Sequence, residues 1–179
     1  AFTIGAGVRK KMFQNLFVNA GLQYSQYATR SNVGTQVAAD TAFSYSGRTE
    51  SVNSYYRAGG SGKAYTTRYH YIELPVSFEY RLFKKLPLHL QHGFSIGRLI
   101  KTNALYFDAP SQLLYKSDAW LRNTGFNFFT TIDYLLLHGK AFSVFAGPQL
   151  QWGLTPVQQK EEAKKHRLFF AGLQTRVAF

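Results

Sequence analysis

The chain contains no cysteine, which removes a disulfide framework and any thiolate metal site. Long apolar runs are missing as well. Nothing approaches the roughly 18–20 apolar residues of a membrane-crossing helix, and Leu135-Leu136-Leu137 is far too short. No secretory leader pattern is visible at the start. Ala1 opens directly in strand-like sequence, so the true N-terminus is expected to lie upstream or to have been removed. Acidic residues are scarce, 9 Asp plus Glu against 21 Lys plus Arg, for a net charge of +12 and a pI near 10.0. A basic balance can mark a nucleic-acid binder. Here the basic groups fall in turns and loops: Arg9-Lys10-Lys11, Lys84-Lys85 and Lys164-Lys165-His166-Arg167. That placement fits a solvated rim, or contact with anionic lipid headgroups and lipopolysaccharide phosphates. It gives no reason to assign nucleic acid as a partner.

Motifs for bound cofactors are also deficient. Gly62-Lys63 evokes a phosphate loop, but Arg57 stands where the first glycine belongs and Ala64 replaces the hydroxyl residue. Gly5-Ala6-Gly7 lacks the third glycine and following helix of a dinucleotide site. His89 and His92 are three apart, which places them on opposite faces of a strand and argues against a shared metal. No catalytic, cofactor-binding or metal-binding residue is assigned.

What the chain has in quantity is aromatic residues, 16 Phe, 12 Tyr and 2 Trp, which favour pleated surfaces and membrane interfaces. It also has alternation. Phe2–Arg9 sets Phe2, Ile4, Ala6 and Val8 against Thr3, Gly5, Gly7 and Arg9. Leu16–Tyr27, Tyr69–Leu82, Leu88–Ile100, Asn123–Tyr134, Ala141–Leu154 and Leu168–Phe179 repeat the pattern. Each reads as a strand with one apolar face and one face of Gly, Ser, Asn, Gln and a few charges. The connections alternate short and long. Ala28–Arg68, Thr102–Trp120 and Pro156–Lys165 are the long ones. Short turns on one side and long loops on the other describe an up-and-down meander of the kind found in membrane barrels.

Seven strands are visible, whereas single-chain bacterial barrels normally have an even number. The first descends from the loop side, so its upward partner is expected before Ala1. The expected fold is therefore an all-β, antiparallel up-and-down transmembrane β-barrel of about eight strands. The last residue, Phe179, closes the final strand with an aromatic end of the type that barrel-insertion machinery reads. A lipocalin-like ligand carrier would place its apolar face inward. A polar face this rich in small residues suits a narrow lumen instead.

Arg9, Glu79, Arg81, Asp133 and Arg176 all take the polar parity near the tight-turn ends of their strands. Buried charges need partners, so these five are expected to form an ion-pair network inside the barrel. Phe17, Phe129, Phe145 and Phe170 share that parity and would fill space, leaving no open pore. His92 breaks the pattern by taking the outward parity. It suggests a bulge or a protein contact, and Pro75 and Pro148 within strands suggest bulges too. A lipid-modifying enzyme is the alternative. It would need a His beside a nucleophile, and Ser95 and His92 differ in parity, leaving His70 and His166 near the loops. Tyr45, Tyr55 and Tyr56 in Ala28–Arg68 are the candidate partner contacts.

Two stretches carry a family resemblance. Tyr71-Ile72-Glu73-Leu74-Pro75-Val76 resembles the Tyr-Leu-Glu-Ile-Pro strand of the PorT-like outer-membrane β-barrel family. Gly147-Pro148-Gln149-Leu150, followed by Gly153-Leu154-Thr155, is similar to that family's penultimate strand. The likeness covers nearly the whole chain and departs at the start, where the family's first strand is not seen. The segment from Leu86-Pro87-Leu88 through Thr102-Asn103-Ala104-Leu105 resembles a subset that forms the C-terminal domain of longer envelope proteins, including anti-sigma-like regulators. The resemblance implies that residues 1–179 are an outer-membrane barrel domain at the C-terminus of a longer chain. It implies a non-enzymatic anchor, assembly component or signal-sensing module, with other envelope proteins as partners.

Overall fold

A computed structural model describes residues 1–45, 48–57, 64–83, 86–108, 110, 112–157 and 167–179. Among these residues all regular structure is β. The strands are β1 Phe2–Lys11, β2 Leu16–Asn32, β3 Thr35–Tyr45, β4 Arg48–Arg57, β5 Ala64–Arg81 and β6 Leu88–Thr102. They continue with β7 Leu105–Asp108, β8 Leu113–Lys116, β9 Thr124–His138, β10 Ser143–Gly153 and β11 Phe169–Ala178. Two compact units divide the chain. One holds Ala1–Tyr27, His70–Lys101 and Leu121–Phe179; the other holds Ala28–Tyr69 and Thr102–Trp120.

In the first unit seven strands close on themselves in the order β1-β11-β10-β9-β6-β5-β2. These are the seven strands that the alternation picks out. Alternation sends every second side chain to the same face, and closure makes one face an interior. Thr3, Asn19, Gln23, Ser77, Gln91 and Ser95 are buried inside, while Ile4, Leu22, Val76, Phe94, Ile132 and Leu173 are exposed outside. This inverts the usual distribution of a water-soluble domain, where a large exposed apolar surface is the exception.

Close strand approach needs small residues at particular points. A Cβ at Gly147 on β10 would run into the backbone carbonyl of Ile132 on β9. The β9–β10 register shifts between Val144 and Phe145, so the irregularity of β10 lies there and not at Pro148, which pairs in regular register with Leu173. His92 is no bulge either. It pairs with Thr130 in an unbroken β6–β9 ladder, lies exposed on the outer face, and stacks on Phe128 with ring centroids 6.4 Å apart.

The seven strands read from the sequence close the ring by themselves; the eighth, expected before Ala1, lies outside residues 1–179. The pairs β1–β2, β10–β11, β9–β10 and β6–β9 are antiparallel. The seam pairs β1 with β11 in parallel, Phe2–Gly7 against Leu173–Ala178. A meander of alternating strands with an odd count must bring two like-directed strands together when it closes, and these are the two.

The sequence reads Ala28–Arg68 as a long loop and Thr102–Trp120 as a loop with strand-like extensions. In the structure the second unit, Ala28–Tyr69 and Thr102–Trp120, carries a four-stranded sheet in the order β3-β4-β8-β7. The long hairpin Thr35–Tyr45 against Arg48–Arg57 forms half of it, and β7 and β8 extend it antiparallel.

Candidate functional site

The interior of the ring holds two polar centres, each built around a fully buried carboxylate of β5. Glu79 and Glu73 share the inward parity and are both 0% exposed. At Glu79 the partners are cationic. Arg9 from β1 donates to Oε1, and the His89 Nδ1 from β6 is 2.7 Å from the same oxygen. Arg176 from β11 donates to Oε2 at 2.9 Å and to Asp133 Oδ2 from β9 at 3.2 Å. Asn19 from β2 joins at 2.9 Å and accepts from Arg176 at 3.0 Å. Arg9 lies 3.6 Å over the Phe17 ring and Arg176 4.4 Å over Phe145. Charge, hydrogen bonds and ring faces therefore converge on one cross-section, which is what a buried ion-pair cluster requires.

Four of the five expected network members are thus brought together: Arg9, Glu79, Asp133 and Arg176. Arg81, the last residue of β5, is exposed, its backbone N–H donating to the Asn15 carbonyl at 2.9 Å. His89, absent from the expected network, takes the place beside Glu79; its parity signalled this. The four phenylalanines of inward parity behave as expected, with Phe129, Phe145 and Phe170 buried and Phe17 half-buried under Arg9.

The Glu73 centre was not foreseen. Here every described partner is neutral. Gln23, Ser25 and Tyr27 of β2, Asn127 of β9 and Gln151 of β10 all donate to its carboxylate, Ser25 at 2.9 Å, Tyr27 at 2.8 Å, Asn127 at 3.1 Å and Gln151 at 3.2 Å. Tyr27 in turn stacks on Phe170 with centroids 3.9 Å apart. A Cβ at Gly97 would come within 2.9 Å of Glu73 Cγ, so only glycine leaves the carboxylate stem its room. The space left beside this centre is a chamber of about 20 Å³ lined by Tyr27, Tyr71, Asn127 and Phe170, among others. That is room for about one water molecule.

At the short-turn end a wider recess of about 210 Å³ is lined by Arg9, Lys11, His138, Lys140 and Phe179, among others. His138 and Ser143 face each other there at 3.0 Å, but no described hydrogen bond joins His138 to a carboxylate that would orient it. His70 bonds the Tyr24 hydroxyl, and His166 lies outside the described residues. No described group of three or more His, Cys, Asp or Glu side chains is placed to hold a metal.

Phe179 is 63% exposed on the outer face. Its backbone is tied to β1, with the Phe179 N–H on the Gly7 carbonyl and the Arg9 N–H on the Phe179 carbonyl, both 3.0 Å. Among the expected partner contacts, Tyr56 is half-buried against Tyr65, with centroids 5.4 Å apart. The side chains of Tyr45 and Tyr55 lie outside the described residues; their backbones belong to the β3–β4 hairpin.

The class these features define is an all-β chain whose antiparallel-rich ring of seven strands encloses packed polar and charged side chains. No family model, curated protein or solved structure matches the chain.

Proposed function

We propose that the protein is a non-enzymatic outer-membrane β-barrel, an anchor, assembly component or signal-sensing module with a plugged lumen. In this reading it meets partners through the second unit, and the PorT-like resemblance and a place at the C-terminus of a longer envelope protein belong to it. The observation that carries the reading is the inverted distribution of side chains around the ring. Apolar side chains crowd the outer face while Glu73, Glu79, Asp133 and Arg176 are buried within. In water this arrangement exposes apolar surface at a cost; in lipid that surface meets hydrocarbon, and the ring keeps its charges away from the lipid.

The dimensions agree. From Phe126 to Leu136, β9 rises about 3.3 Å per residue, which at a tilt of about 40° spans roughly 25 Å, the height of an apolar barrel band. At one end of that band, Phe94, Phe128, Trp152 and Phe169 lie side by side across β6, β9, β10 and β11. Toward the other end are Tyr80, Tyr134 and Phe142, all exposed. Aromatic girdles at both interfaces are a property of membrane barrels. The basic turn residues Lys10, Lys11 and Lys140 then suit anionic headgroups.

Expression with an outer-membrane targeting signal, followed by membrane fractionation and unheated gel electrophoresis, tests this. A faster-migrating folded band in the membrane fraction, shifted on boiling, is expected. Leu150→Lys on the outer face should lower folding stability in lipid by about 2–4 kcal/mol, as at a bilayer midplane. A monodisperse protein in detergent-free buffer, indifferent to Leu150→Lys, would remove the membrane reading. Planar-bilayer recordings should show no steady conductance; a stable open pore would remove the plug.

A further inference from the structure

The seam between β1 and β11 differs from the other described pairings of the ring in three ways. It is parallel, with Phe2–Gly7 against Leu173–Ala178. It is short beside its neighbours, since β1 pairs with β2 from Phe2 to Lys11 and β10 with β11 from Ser143 to Ala178 through Trp152 and Phe169. Buried hydrogen-bond donors also lack partners on the strands around it: Arg9 Nε on β1, Arg176 Nε on β11 and Gln149 Nε2 on β10. Parallel pairs are slightly less stable per residue than antiparallel ones. Unpartnered buried donors each carry a desolvation cost. The seam is therefore the weakest closure of the ring and the place where an added polar surface would gain most.

We propose that the seam is a strand-acceptor site, opening between β1 and β11 to take one extended polypeptide segment that runs antiparallel to both. Insertion converts one parallel ladder into two antiparallel ladders, the general mode of β-strand addition. The pattern of the incoming strand follows from the register. Positions between Thr3, Gly5 and Gly7 on one side and Gln174, Arg176 and Ala178 on the other face inward. They call for small residues or hydrogen-bond acceptors, which the stranded N–H groups of Arg9, Gln149 and Arg176 would meet. Positions between Ile4, Ala6, Thr175 and Val177 face outward and call for apolar side chains. A second copy of this ring cannot fill the role with its own seam strands. In a shared membrane orientation its β1 and β11 run the same way as these two, so every junction between copies stays parallel. The occupant is one extended segment that runs opposite to β1 and β11. Strand directions and unpartnered donors carry the inference; the exclusion of a second copy and the apolar outward positions rest on the membrane reading.

The chain's own β2 has the required alternation, with Asn19, Gly21, Gln23 and Ser25 against Val18, Ala20, Leu22 and Tyr24. A fluorescent synthetic copy of residues 16–27, bearing a photoreactive group in place of Leu22, therefore serves as the probe. The receptor is the full chain refolded in detergent micelles. Saturable binding is expected, with photo-crosslinks to both β1 and β11. The double variant Ile4→Cys, Thr175→Cys places two thiols across paired positions in a chain with no other cysteine. Its oxidised form should bind the peptide about tenfold or more weakly, a loss of about 1.4 kcal/mol or more, and reduction of the same sample should restore binding. The reduced form also serves as the folding control. Three results would each overturn the proposal: crosslinks to β1 and β5, meaning exchange with native β2; binding unchanged by the disulfide; or binding no better than that of a scrambled peptide.

Discussion

Glu73 and Glu79 lie on one strand, face one interior and are equally buried, yet they are satisfied by different means. Glu79 meets two guanidinium groups, an imidazole and one amide. Glu73 meets three amides, a hydroxyl and a phenol. The first centre is a charge balance and the second a shell of dipoles. A carboxylate among neutral donors leaves no opposite charge stranded if it is lost, whereas one among cations does. The two halves of the interior should therefore fail differently when broken, although both fill the same lumen.

The largest effect is expected at the charged centre. Glu79→Ala leaves Arg9 and Arg176 facing each other in a buried cross-section, with Asp133 left among the described carboxylates to offset them. Removing one partner of a buried pair costs about 3–5 kcal/mol, and a shared second cation places this site at the upper end. Equilibrium unfolding in urea, followed by the loss of the fast-migrating folded band, measures it. A loss under 1 kcal/mol, taken as roughly the value of an exposed pair, would mean that water reaches Glu79 and that the interior is not closed at that level.

The next test separates real partners from neighbours. Arg176 and Asp133 touch at 3.2 Å, so a double-mutant cycle of Arg176→Met and Asp133→Asn should give a coupling energy of about 0.5–3 kcal/mol. The same cycle with the exposed Arg81→Met in place of Arg176→Met should give the smaller coupling, about 1 kcal/mol or less, because solvent screens an exposed charge. Equal coupling in both cycles would place Arg81 in the network on a par with Arg176.

These sites also mark how far the sequence could be read. The seven ring strands follow from period-two alternation because each has one strongly apolar face, as in Ile72, Leu74, Val76 and Phe78. Strands β3 and β4 escape the same reading. Thr35–Tyr45 and Arg48–Arg57 mix Ser, Thr, Ala and charges on both parities, so pairing contrast is low and the stretch resembles a loop. At the charged centre parity brings Arg9, Glu79, Asp133 and Arg176 together, since opposite charges on one face have few alternatives. Parity does not say how far a strand end is exposed, and Arg81 is exposed while Glu79 is fully buried. The Glu73 shell is illegible for another reason. Its donors come from three other strands, β2, β9 and β10, and neutral amides at inward positions do not announce which carboxylate they serve. The parallel seam depends on closure itself, which no local pattern records.

At the dipolar centre Glu73→Gln keeps the shape and removes the charge. The five donors then face an amide that can accept through one oxygen only, so some remain unmet. A cost of about 1–3 kcal/mol follows from buried groups left unsatisfied, below that of Glu79→Ala. If Glu73→Gln were the more damaging change, the comparison would invert, and the carboxylate of Glu73 would have to be balanced by a charge rather than by dipoles.

The smallest change asks how evenly that shell shares its load. Tyr27→Phe removes one hydroxyl donor, 2.8 Å from Glu73, and keeps the ring stacked on Phe170. Four donors remain, and the lost bond is worth about 0.5–1.5 kcal/mol, toward 1.5–3 if its charged acceptor dominates. A value near the lower figure means that the remaining donors absorb the loss. The same substitution in a Glu73→Gln background decides between the two. If the charge strengthens the Tyr27 bond, the phenylalanine change should cost less there than in the native chain. An equal cost in both backgrounds would assign the Tyr27 contribution to its packing on Phe170 and leave Glu73 held mainly by amides and Ser25.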